Sequence, residues 1–345
     1  MKKALIIAAL LGLASCTESL IPVKDSSDVT LTVGIKSSIA STKATMAGTT
    51  DENKVNSIQV FVFKVNRGAY VFEASARAAS SAVDITVTTG EKDVIVLVNE
   101  PTDYSGITDR AALLASVSSL ANNSPASFVM FGEAESTVTT SVHTLNIPVD
   151  RLASRVRIEK ITNSLRNGNA GKNVKVSRVY LVNAGAGASF SSALSGFYAT
   201  VGINAGLDLN GTAVSSSDEK AAVNALVYSN INSSVLAEGA SYSNPISLYA
   251  YPNDKSVKST LLVVEMEIAG RYFTYPVELP AMPGNSTLEV SELVITSIGN
   301  ISNGDDVLDD GENEPITFQE ATFNVTVKPW TIIAVSNGTD GKYTI

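Results

Sequence analysis

Side chains suited to catalysis are scarce in this sequence and do not assemble into a site. Of 345 residues, one is a histidine and one a cysteine. His143 lies between Val142 and Thr144 in an alternating stretch, and no Gly-x-Ser-x-Gly turn supplies a nucleophile elsewhere. It is therefore read as an ordinary strand residue. One histidine and one cysteine cannot furnish a typical zinc ligand set. An acidic run extends from Asp305 to Glu314, but placing Gly311 at the sixth position of a calcium loop puts Leu308 third and Thr317 twelfth. Those positions need acidic or amide ligands, so the run is read as a solvated loop between strands. Phosphate loops and dinucleotide fingerprints are missing too. No catalytic residue, metal or cofactor is expected, and the chain is read as a non-enzyme.

The chemistry that the spacing does support is covalent processing. Lys2 and Lys3 precede an apolar run of about ten residues from Ala4 to Leu13, the length of a signal segment and too short for a bilayer span. It ends in Leu13-Ala14-Ser15-Cys16. This resembles the lipobox of bacterial lipoproteins, which implies that Cys16 is lipidated and becomes the new N-terminus. With its sole cysteine so used, the chain can form no disulfide and depends on packing.

These processing residues need elements to position them. Beyond Cys16 about 330 residues remain, enough for two ordinary domains. Val, Ile, Thr and Ser are abundant and glycine punctuation recurs, which is a β-rich composition. The net charge of -9 argues against nucleic acid as a partner, and one tryptophan among 6% aromatics argues against a stacked sugar platform. Thr17 to Asp28 reads as a tether. Val29, Leu31, Val33 and Ile35 then alternate on one face of a strand. Ser37 to Asn53 reads as a loop. Strands are expected at 55–65, 70–76, 83–88, 93–99, 128–131 and 138–149. One helix is capped by Thr108, with Leu113, Val117 and Leu120 on one face, and a second short helix is placed near Asp218–Leu226.

A boundary is placed near Asp150. Past it, Leu152, Val156 and Ile158 face one way and Arg155, Arg157 and Glu159 the other, which predicts a sheet with one packed and one wet face. Further strands are expected at 174–182, 246–251, 260–268, 272–277, 288–298 and 322–328. The fold class that follows is mainly β, with two sandwiches and one or two short helices.

Two segments invite a joint explanation. The strand Val29–Ile35 lies between the tether and a small-residue loop in which Lys43 is the only basic residue. Small-residue loops are where nicking concentrates. A trypsin-like cut between Lys43 and Ala44 would release the chain from its lipid and remove Val29, Leu31, Val33 and Ile35, roughly 6–12 kcal/mol of apolar burial as an upper figure. Whole-domain stability is only about 5–15 kcal/mol, so something must refill the gap. The second segment, Thr331-Ile332-Ile333-Ala334-Val335, is strand-like and near the chain end. It either closes its own sheet or is donated to a neighbour, the strand-addition mode of pilins, which grows open filaments.

Several segments, in order, are similar to those of the fimbrilins, the major shaft subunits of type V pili in Bacteroidales-type bacteria. They are the lipobox at Cys16, the strand Val29–Ile35 with its Ser/Thr loop, Lys54-Val55-Asn56-Ser57-Ile58-Gln59-Val60-Phe61-Val62-Phe63, and Gly90-Glu91-Lys92-Asp93-Val94-Ile95-Val96-Leu97-Val98-Asn99. Leu152-Ala153-Ser154-Arg155-Val156-Arg157-Ile158 and Phe323-Asn324-Val325-Thr326-Val327-Lys328-Pro329-Trp330 complete the set. The resemblance implies two tandem transthyretin-like β-sandwich domains, and an outer-membrane lipoprotein precursor that becomes part of a cell-surface fimbria serving adhesion. On that basis residues 1–16 are a signal peptide, 17–43 a propeptide, 44–150 the first sandwich and 151–345 the second, ending in a donor strand. The implied partners are identical subunits head to tail, other fimbrial subunits and an extracellular trypsin-like protease, with membrane contact only through the precursor's lipid. Fimbrilins carry arginine at the cut, where this chain has Lys43. A monomeric surface lipoprotein binding glycan or a host protein, and a tip or anchor subunit of the same pilus, are the other readings.

Overall fold

A computed structural model describes residues 27–37, 46–47, 51–141, 144–196, 226–302 and 321–331. The strands of the first half are β1 (Asp28–Ser37), β2 (Met46–Ala47), β3 (Ile58–Asn66), β4 (Ala69–Ala78), β5 (Ala82–Thr88), β6 (Gly90–Val98), β7 (Val117–Ser119), β8 (Met130–Val138) and β9 (Thr144–Arg151). Those of the second half are β10 (Ser154–Ile158), β11 (Ile161–Asn163), β12 (Val174–Val182), β13 (Gly187–Ser189), β14 (Tyr228–Asn230), β15 (Ser241–Tyr242), β16 (Ile246–Ala250), β17 (Leu261–Ile268), β18 (Arg271–Glu278), β19 (Ser286–Ile295), β20 (Asn300–Ser302) and β21 (Ala321–Thr331). The protein is mainly β, with several sheets arranged as sandwiches.

The first sheet has the order β4-β3-β6-β8-β9-β1-β5. It folds over at the β8–β9 junction, where only Met130 and Phe131 pair with Arg151 and Asp150. Gly132 permits the bend, because a Cβ there would lie 2.3 Å from the Pro148 carbonyl oxygen. The strands β4, β3, β6 and β8 thus form one layer, and β9, β1 and β5 are folded back so that β5 packs on β4 and β3. Each strand of the smaller layer alternates. Ile85 and Val87 of β5, and Ile147 and Val149 of β9, point into a core shared with Val60, Val62 and Val96, while their neighbours face water. The β3–β4 hairpin closes through Arg67 and Gly68, with φ of 50° and 82°. Two such residues in succession are the requirement of the hairpin turn that matches strand twist.

β3 and β6 are buried on both faces because the segment after β6 covers them. The helix α1 (Arg110–Ala115) is part of that cover and buries Leu113. Its cap is Asp109, accepting from the Ala112 amide, one residue past the expected Thr108. The expected helix also ends early. Val117 and Leu120 have helical spacing, but Val117–Ser119 pairs instead with Gly187–Ser189, so a tertiary ladder overrides the local period.

From Leu152 the chain passes into the second half. β19 is the spine of its larger sheet, pairing in parallel with β10 and β11 on one side and antiparallel with β21 along its length on the other. A further sheet, β14-β12-β17-β18-β20, packs across it. Most long strands match the expected positions, and β12 matches end to end. The short strands β11, β13, β14, β15 and β20 are not legible as runs. The helix expected near Asp218–Leu226 falls almost entirely outside the described residues, as do His143 and the Asp305–Glu314 run.

Candidate functional site

β1 is the middle strand of a three-stranded layer. It runs antiparallel to β5, from Asp28 opposite Thr88 to Gly34 opposite Ala82, and parallel to β9, from Thr32 opposite Thr144 to Ser37 opposite Val149. Leu31 and Val33 are fully buried, Val29 is 7% exposed and Ile35 packs at the margin of the same core. At roughly 1.5–3 kcal/mol for each fully buried side chain, the three inner residues contribute about 4.5–9 kcal/mol gross. The outward face adds one bond, Thr32 Oγ1 donating to Asp84 Oδ1 at 2.6 Å. At Gly34 the neighbours are close: a Cβ would lie 3.0 Å from Asn146 Oδ1.

Taking this strand away would leave a slot two strand spacings wide, roughly 9.5 Å, lined by the open backbone edges of β5 and β9 and floored by apolar side chains. Both walls have separate support. Glu73 on β4 holds the end of β5: its Oε1 accepts from the Thr88 amide and from Thr88 Oγ1, each at 2.7 Å, and its Oε2 is ion-paired with Lys92 on β6 at 2.7 Å. Burial pushes the Glu73 carboxyl up, but the Lys92 and Thr88 contacts outweigh it and hold the group below the usual carboxylate value. β9 is secured at its far end by Arg151.

The chain just downstream of the slot strand is held differently. β2 pairs in parallel with the end of β21, Met46 opposite Trp330 and Ala47 opposite Thr331. Five residues after β2 comes Glu52, 2% exposed. Arg155 Nη1 donates to both its carboxylate oxygens at 2.9 Å, and the Tyr249 hydroxyl donates to Oε1 at 2.7 Å. Arg151 Nε and Nη2 donate to the Glu52 carbonyl at 3.2 and 2.9 Å, and Nη2 also bonds Asn53 Oδ1. Burial lowers the Arg151 guanidinium to about 10, which leaves it charged at neutral pH, and pushes the Tyr249 hydroxyl up so that it stays a donor. Asn99 completes the anchorage. Its Nδ2 donates to the Lys54 carbonyl at 2.8 Å, and its Oδ1 accepts from the Asn56 amide at 2.7 Å.

Arg155 corrects the sequence reading. Alternation places it on a wet face, yet it is 1% exposed. The segment around Glu52, assigned to a polar loop, lies over that face and supplies the countercharge. No local pattern carries this signal, because the partners are 103 residues apart in the chain. Of the other predicted residues, Thr331 is the last described residue of β21, beside β2. Cys16, Lys43, Ala44, Ile332, Ile333, Ala334 and Val335 lie outside the described residues. Among the described residues no helix is long and apolar enough to cross a membrane.

Residues 27–178 match the family of the major fimbrial subunit protein, FimA. That span begins at the slot strand and ends within β12. Known structures extend the likeness over most of the chain. A candidate cell adhesion protein of Bacteroides eggerthii is 16% identical, with 89% of this chain and 97% of that chain covered at a TM-score of 0.65. One from Parabacteroides distasonis is 15% identical, with 90% and 98% covered at 0.59. The fimbrilin FimA of Porphyromonas gingivalis is 14% identical, with 88% and 98% covered at 0.57. At these identities the structures establish the shared fold. Among curated proteins, none matches this sequence. The resemblance to fimbrilins read from the segments is thus found again in an independent family match and in the fold.

Proposed function

We propose that the protein is a fimbrial shaft subunit that polymerises by donor-strand exchange once a trypsin-like protease cuts between Lys43 and Ala44. The family match supports a place in a fimbria. The observation that carries the mechanism is the position of β1, bonded on both edges yet joined along the chain to every other described strand only through the stretch containing Lys43. Its loss would uncover a backbone-lined slot between β5 and β9.

The precursor travels to the outer membrane with Cys16 lipidated and the slot closed by its own strand. Cleavage releases both lipid and strand. The segment that continues from the last residue of β21, Thr331, through Ile332, Ile333, Ala334 and Val335 enters the slot of the next subunit. Backbone bonds to β5 and β9 supply affinity, and alternate apolar side chains supply fit. Because donor and acceptor surfaces differ, the contact is head to tail and grows a filament. The fibre then serves adhesion, with identical and other fimbrial subunits as partners.

Sequencing the N-terminus of subunits taken from surface fibres tests this reading. Ala44 should be the first residue, and a Lys43→Ala variant should keep its lipid and form no fibres. Fibres whose subunits retain Asp28–Ser37 would contradict it.

A further inference from the structure

We infer that the network of Arg151, Glu52, Arg155, Tyr249 and Asn99 is a processing stop, which shields the exposed Lys54 from the protease that removes the first strand. This rests on the reading that a trypsin-like enzyme processes the chain. Lys54 lies only eleven positions past Lys43, and its side chain faces solvent. A lysine-directed protease would find it by side chain alone. Cleavage, however, requires several residues on each side of the bond to leave the surface in extended form, so burial and hydrogen bonding of the backbone decide the outcome.

Here both sides are fixed. Upstream, Glu52 and Asn53 are buried, and the Glu52 carbonyl and carboxylate are bonded by two arginines and a tyrosine. At the bond itself, the Lys54 amide donates to the Asp51 carbonyl at 3.1 Å and its carbonyl accepts from Asn99. Downstream, the Asn56 and Ser57 amides both reach Asn99 Oδ1. To present Lys54, the chain must lift Glu52 away from Arg155 and leave a buried guanidinium without its countercharge.

A cut after Lys54 would also do more than shorten the N-terminus. It would detach β2 from the end of β21, where the donor segment begins, and remove Glu52 from the junction of β10, β16 and β19. The stop therefore defines a mature N-terminus that still holds the root of the donor strand.

The test uses the full chain in detergent with trypsin, reading product N-termini by mass spectrometry. The wild type should give no product beginning at Val55. Glu52→Gln should raise cutting after Lys54 by at least about tenfold, because cleavage follows the population of the opened segment. A parallel pair carrying Lys43→Ala reads Lys54 whether or not Lys43 is the natural cut, which separates this inference from the proposed processing site. Cuts after the buried Lys92 or Arg155 would report global unfolding of the variant, in which case Tyr249→Phe, lacking one hydroxyl, decides by faster cutting after Lys54 alone. Equal cutting at Lys43 and Lys54 in the wild type, or Lys54 still resistant in Glu52→Gln or in Tyr249→Phe, would overturn the inference.

Discussion

The segments before and after Lys43 are both strands added to a sheet, yet they are held by opposite kinds of force. Upstream, β1 is kept in place by a backbone ladder on each edge and by Val29, Leu31 and Val33 in the core. Apart from the close approach at Gly34, that set is not particular to its sequence, since a strand with apolar residues at alternate positions can offer the same contacts. Downstream, the two residues of β2 have only a short backbone pairing with β21, and the segment is fixed by the buried Glu52 through an ion pair and directed hydrogen bonds from Arg155, Tyr249 and Arg151. Those contacts have fixed geometry and no generic substitute. Apolar holding suits a strand to be exchanged, and polar holding suits one to be kept.

The comparison can be broken from either side. The largest effect is expected for Glu52→Ala, which leaves Arg155 buried without its countercharge and should cost about 3–5 kcal/mol in urea denaturation of the precursor. Leu31→Ala should follow at about 3 kcal/mol, in the range of large-to-small core changes. The two should then differ in rescue. An added peptide matching Asp28–Ser37 should restore stability to protein cut at Lys43, whereas one matching residues 44–53 should not restore Glu52→Ala.

Acid sharpens the contrast within the slot. The folded-state value of Glu73 is lowered, so its contribution is complete above the unfolded value near 4.5 and is lost as pH falls through the folded value. Protection of the Thr88 amide in the cut protein, taken relative to its intrinsic exchange rate at each pH, should therefore fall on acidification below about 4.5, while a Glu73→Gln variant should show low protection already at neutral pH. The smallest effect is expected for Thr32→Val. Its bond to Asp84 is solvent-exposed, and its loss should change stability by no more than about 1 kcal/mol.

The same contrast explains what the sequence made legible. Val29, Leu31, Val33 and Ile35 announce themselves because strand alternation is local, and a buried face leaves its mark at every second residue. Val174–Val182 is readable for the same reason. Glu52 is unreadable, since a carboxylate in a Ser/Thr-rich stretch looks solvated until Arg155 and Tyr249 are brought over it by the fold. Arg155 misleads for the converse reason. β7 and β13 are too short to carry a period, and their pairing competes with a helical spacing that Val117 and Leu120 do possess.

The central claim is that a second copy fills the slot. Mild trypsin treatment of the protein, followed by electrophoresis without boiling, tests it most directly. A ladder of stable oligomers should appear once Asp28–Ser37 is lost, and a chain truncated after Thr331 should give none. Clean monomer after confirmed loss of that strand, or a ladder undiminished by the truncation, would contradict the account.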